Sequence, residues 1–310
     1  RDLHSLRRRQ RQMCIRDRLK RDREAYRELY TRILFQLQNY KREVHLTLEV
    51  YEILSFYMQI CKDNVAQKSI MLANKYADQI AKELNMPYNY LIFTTPRNYY
   101  SSLPIHVART HIVMFPLADL NKPWKWVLLP HELGHLYFQL NKNNILVEMI
   151  PLIEDKLRET IPRQNRQEEK IKNYEYYWSE FWLEEITSDI IGVSFSGPAY
   201  LKMLILETID YRPMAIYEYD VAHPPLDARV FTQIKYLEYS HVSAKLINRA
   251  KKEWKRFRDG IYEEASIHEA FNEEILDAIA KKLTGIIQHP FIDTKWNDYT
   301  KVLSKVPNIG

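Results

Sequence analysis

Residues 124–140 read WKWVLLPHELGHLYFQL. Val127, Leu128, Leu129, Leu133, Leu136 and Phe138 make this stretch apolar around three polar positions, His131, Glu132 and His135. The spacing predicts a helix over Trp124 to Leu140, and Pro130 should kink it or mark its true start, because proline has no N–H and its ring clashes with the preceding turn. Asn141 to Asn144 should end it. Four residues on a helix is about one turn, so the two imidazoles share a face while Glu132 points to its neighbouring side.

Imidazoles and a carboxylate in so apolar a helix would carry a desolvation cost, which a metal ion offsets. Two histidines leave a catalytic zinc short of a ligand, since such sites normally have three protein donors and an open position. The best third donor lies in residues 182–192, WLEEITSDIIG, where Glu185 and Asp189 are again four apart. Glu185 can ligate while Asp189 accepts the other ring N–H of a liganding histidine, fixing its tautomer. Glu184 is the competing carboxylate, turned away by about 100° in helical phase.

HELGH followed downstream by EITSD resembles the gluzincin branch of zinc peptidases, whose pattern is HExxH with a later ExxxD. The resemblance implies one Zn2+ per chain held by His131, His135 and Glu185, Glu132 as the base, and Asp189 behind His131. The stretch HPPLDARV, His223 to Val230, is similar to the HPxxxxR stretch of the M48 peptidase family. That likeness implies His223 as a stabiliser of the tetrahedral oxyanion, with Arg229 either organising the loop or reaching the active-site acids. Tyr200, Tyr211, Tyr217 and Tyr219 are alternatives for the oxyanion role. Ser188 stands where M48 members commonly carry alanine.

The implied activity is that of a zinc metalloendopeptidase-like hydrolase, in which Glu132 assists the attack of zinc-bound water on a peptide bond. Two alternatives remain open at this point: a non-catalytic zinc-binding helical interaction module, and a zinc hydrolase of a non-peptide amide.

Only six glycines occur in 310 residues, and apolar positions recur at three and four residue steps through most of the chain. That pattern predicts a mainly helical protein. Helices are expected within 19–63, from Asn64 to about Leu84, over Ile145–Thr160, Glu168–Phe195 and Pro198–Ile209, then Leu226–Tyr239, His241–Phe257 and Ile261–Leu283. Tyr90 to Thr94 and Ile112 to Phe115 are aromatic and β-branched runs suited to strands. The expected fold class is therefore mainly α with a small β-sheet before the HExxH helix, which the resemblance makes zincin-like. Three regions follow: a disordered or non-native basic tail over 1–18, a helical region over 19–87, and a zincin-like catalytic region with C-terminal helices over 88–310.

The formal charge of +5 is misleading until located. Residues 1–18 hold seven arginines against Asp2 and Asp17, which accounts for the whole excess. The remaining chain has no bulk attraction for phosphate, so nucleic acid is not an expected partner. The basic run from Arg249 to Arg258 is interrupted by Glu253 and reads as a solvated helix face. No GxxxxGK[ST] loop, GxGxxG fingerprint or paired CxxC is present. The expected partner is a peptide or protein substrate. No apolar run reaches the roughly 20 residues that span a bilayer, so no integral membrane segment is expected. Cys14 and Cys61 read as free thiols of a reducing compartment, which favours a cytoplasmic location; secretion stays open because the chain starts at Arg1.

Overall fold

The computed structural model describes residues 64–87, 89–95, 101–105, 110–119, 122–161, 167–211, 222–259 and 269–287. The expected basic tail, the helices within 19–63, Tyr217 and Tyr219 lie outside them.

Helix α1, Asn64–Glu83, buries a stripe of Ile70, Ala73, Ala77, Ile80 and Ala81 at three and four residue spacing. It stops where Asn85 takes a left-handed φ of 53°. The Met86 N–H then reaches back to the Ala81 carbonyl at 2.9 Å and the Asn85 N–H to that of Lys82 at 3.1 Å, so two terminal carbonyls gain partners.

Strands β1 (Asn89–Thr95), β2 (Ser101–Ile105) and β3 (Thr110–Pro116) follow. β3 runs parallel to β1 and antiparallel to β2, in the spatial order β1-β3-β2. The expected class, mainly α with a zincin-like sheet leading to the HExxH helix, is corrected: among the described residues the fold is almost entirely α-helical, and the three short paired strands do not frame the site. Apolar runs such as Ile112 to Phe115 have strand texture locally, but the candidate site is assembled by helices and one loop, and these short extended segments donate none of its residues. The architecture rests on helix against helix packing.

After a 3-10 segment, Pro123–Leu128, helix α2 runs from Leu129 to Thr160. Pro130 marks its start, where a missing N–H has no intrahelical partner to lose. The expected stop at Asn141–Asn144 is corrected, because α2 passes straight through it. Ile145, Met149, Ile153 and Leu157 keep a buried stripe in helical phase beyond those polar residues. Tertiary packing against the C-terminal helices outweighs local propensity there.

Helix α3 (Gln167–Tyr177) leads through one π-helical turn, Trp178–Trp182, into α4 (Leu183–Ser196). Trp178 and Trp182 are fully buried and both pack on Phe271. Tyr177 stacks on Trp182, whereas Tyr176 is exposed. Gly197, at a φ of 56°, ends α4 in a conformation that favours glycine, and α5 (Pro198–Tyr211) starts at once. α6 (Leu226–Tyr239), α7 (Ala244–Asp259) and α8 (Glu273–Ile286) follow among the described residues. Asn272 caps α8 by accepting from the Ile275 N–H at 2.8 Å, which places its start well after Ile261. α2 packs along α4, α4 against α6, and α6 against α8. Among the described residues no helix is long and apolar enough to cross a membrane.

Candidate metal centre

The first turns of α2 carry His131 and His135 with their Nε2 atoms 3.2 Å apart and their rings at 86°. Glu185, from the first turn of α4, places Oε1 3.6 Å from His135 Nε2 and Oε2 3.8 Å from His131 Nε2. The candidate ligand atoms of the three residues lie within 4.8 Å of one another. Metal–nitrogen bonds of about 2.0–2.1 Å in tetrahedral geometry separate two ligand nitrogens by roughly 3.3 Å, so this cluster is spaced to hold a zinc-sized ion.

The outer nitrogens explain why the inner ones need a cation. His131 Nδ1 lies 3.1 Å from Asp189 Oδ1, and His135 Nδ1 lies 3.1 Å from Glu184 Oε1. Ionised carboxylates only accept hydrogen bonds, so each Nδ1 carries a proton, and the Nε2 of a neutral ring then presents a lone pair. Two lone pairs and the Glu185 carboxylate thus converge on one point, and their repulsion is relieved only by a proton or a metal ion. Burial would lower the His135 pKa, but Glu185, Glu184 and Glu132 outweigh it and push it up to about 9.

Behind the cluster, Arg229 from α6 donates to both oxygens of Asp189, from Nε to Oδ2 at 2.6 Å and from Nη2 to Oδ1 at 2.7 Å. Its Nη2 also lies 3.2 Å from Glu185 Oε2. Burial by itself would raise both carboxyls; the guanidinium overrides this and holds each below the usual carboxylate range. Arg229 therefore meets the acids. Tyr200, on α5, donates to Asp189 Oδ1 at 2.5 Å, and its oxygen is 2.9 Å from His131 Nδ1.

Glu132 is buried beside the two histidines, and its pKa is raised, chiefly by desolvation, with His131 and His135 opposing the rise. A raised carboxylate is a stronger proton acceptor than a solvated one. His223 sits on the loop before α6, half-exposed, with Nε2 3.8 Å from Glu185 Oε1.

The structure thus gathers His131, Glu132, His135, Glu185, Asp189, His223 and Arg229 in one place. Glu184 is at the site too, but against the outer nitrogen of His135 and not among the three converging donors. Tyr200 was one of several undifferentiated tyrosines in the sequence; a signal for it existed in Gly192, whose missing side chain leaves room for the Tyr200 ring. A Cβ at that position would lie 2.6 Å from the ring. The Tyr211 side chain, at the end of α5, lies outside what the structure describes. The metal-compatible His, His, Glu cluster is consistent with a zinc-hydrolase active site. No family of known proteins, no curated protein and no solved structure matches this chain significantly.

Proposed function

We propose that this chain is a zinc-dependent hydrolase that cleaves peptide bonds at the His131, His135, Glu185 cluster. The observation that carries the reading is the pairing of that converging donor set with Glu132, a buried carboxylate that is outside it and whose proton affinity is raised. A bound zinc would polarise a substrate carbonyl and acidify a water. Glu132 takes the proton from the attacking water and returns it to the leaving amine. His223 faces the developing oxyanion, where a donor oriented in advance is most effective. Asp189 and Glu184 fix the imidazoles, and Arg229 holds Asp189 and Glu185 against their mutual repulsion.

The choice of a peptide or protein substrate rests on the likeness of HELGH, EITSD and HPPLDAR to zinc peptidases. A purely structural zinc site would be closed by a fourth protein ligand and would have no use for Glu132. The deciding experiment is Glu132→Gln, assayed for bound zinc and for cleavage of a diverse peptide mixture. Zinc should be retained while kcat falls on the order of 10²-fold or more. Undiminished cleavage by the variant would rule out Glu132 as base; a zinc-loaded wild type that cleaves no peptide would favour the interaction module or a non-peptide amide.

A further inference from the structure

Resting on that reading of the centre, we propose that Tyr200 is a positioning residue that holds the His131 imidazole in its metal-binding orientation and tautomer. The hydroxyl is shared between two groups. It donates to Asp189 Oδ1 at 2.5 Å, which leaves its oxygen to accept from His131 Nδ1–H at 2.9 Å. The phenol ring also stacks on the imidazole, with centroids 6.0 Å apart and planes within 21°. His131 is thereby fixed in plane by Tyr200 and Asp189 together, with Nε2 turned to His135 and Glu185.

Three features show that this contact is built into the packing. Tyr200 is fully buried, so its hydroxyl needs partners in the protein. It stands on α5, while its two partners stand on α4 and α2. Gly192 opens the space on α4: all three of the nearest atoms to a Cβ there would be Tyr200 ring atoms, at 2.6 to 2.8 Å. Real β-carbons do not approach that closely, so any side chain at residue 192 would displace the ring from His131.

Arg229 neutralises Asp189, but its nitrogens donate, so it cannot receive the His131 proton. Asp189 Oδ1 already accepts from Arg229 and Tyr200. The Tyr200 oxygen supplies the further acceptor that keeps the proton on Nδ1. Removing it should release the ring toward other orientations while every metal donor stays in the chain.

The test compares wild type with Tyr200→Phe, using zinc affinity by chelator competition and the visible spectrum of the cobalt(II)-substituted protein. Tyr236→Phe is the control, because that buried hydroxyl donates to the Ile287 carbonyl at 3.3 Å, away from the donor set. Tyr200→Phe should bind zinc about 10- to 100-fold more weakly and shift the cobalt bands, with Tyr236→Phe changing neither. Zinc affinity within twofold of wild type, or an equal loss in the control, overturns the positioning role. A second measurement needs no variant: nitrogen-15 NMR of the zinc-loaded wild type should show His131 protonated at Nδ1, and a bare Nδ1 overturns the proposal. Failure of the wild type to bind zinc at all would instead defeat the functional reading on which this inference rests.

Discussion

Gly134 meets Ser188 where α2 and α4 pack together: a β-carbon at residue 134 would lie 2.6 Å from the Ser188 Cα and 3.1 Å from its carbonyl oxygen. Those are backbone atoms, which cannot swing aside as a flexible side chain could. Glycine thus sets the helix spacing at which His131 and His135, flanking it on α2, come within reach of Glu185 on α4.

Gly134→Ala sets two effects against each other. Alanine gains about 1 kcal/mol of helix propensity over glycine, whereas overpacking a tight contact costs typically 1–3 kcal/mol. The clash should win, with a net loss of up to about 2 kcal/mol in urea unfolding and weaker zinc binding. A variant more stable than wild type would show that the two helices are not held this close.

The motif was legible because helix periodicity alone puts His131 beside His135 and Glu185 beside Asp189. What the sequence left unread came from across the chain. The Tyr200 contact to His131 spans 69 positions and competes with 21 other tyrosines. Glu184 was set aside on helical phase, yet its flexible stem brings Oε1 to His135 Nδ1. Asn141 to Asn144 looked like a stop because local composition does not reveal that α8 covers the buried stripe beyond it. The strand texture of a few short runs points to a small sheet, and only the resemblance makes it zincin-like, whereas the site is framed by helices whose contacts lie far apart in sequence.

Arg229→Met should be among the most damaging substitutions. It leaves Asp189 and Glu185 buried without their guanidinium, a loss of the kind that costs about 3–5 kcal/mol. The pH dependence has a definite sign. Asp189 is held below its ordinary value, so its stabilisation is present above about pH 3.9, the usual aspartate pKa, and is lost as pH falls through the folded pKa. Wild type should therefore lose stability on acidification. In the variant, burial without the cation raises that pKa, and the acid-side slope should flatten or reverse. Urea midpoints at about pH 2.5 and about pH 4 read the wild-type loss, those at about pH 4 and about pH 7 read the reversal in the variant, and identical pH slopes in the two proteins would contradict it.

Zinc binding should be stoichiometric and opposed by protons. Elemental analysis should give about one zinc per chain, with loss on replacing His131 and His135 together by alanine. In the metal-free protein burial would lower the His135 pKa, but its carboxylate neighbours push it up to about 9. A ligating Nε2 must give up its proton, so below that pH each unit of acidification should weaken apparent zinc affinity by up to about tenfold. Competition titrations at about pH 6 and about pH 8 measure the slope. An affinity that is flat or rises on acidification would exclude His135 as a ligand.

His223 makes the most exacting prediction, because its role depends on a loop. Pro224 and Pro225 are buried and anchor that loop, and the Arg229 N–H bonds to the Pro225 carbonyl at 3.1 Å in the first turn of α6. The imidazole stays half-exposed at the rim of the cluster, with Nε2 3.8 Å from Glu185 Oε1. That separation exceeds hydrogen-bond reach yet keeps the ring next to a metal donor, where a substrate oxygen on the open side could meet it. Rigid placement matters because an oxyanion donor stabilises charge by being oriented before the charge develops. His223→Ala should retain zinc and lose about 2–4 kcal/mol of transition-state stabilisation, read as a fall in kcat with KM little changed. A rise in KM at constant kcat would make His223 a substrate-binding group, and a loss of zinc would make it a ligand. Either result would pass the oxyanion role to another donor at the rim.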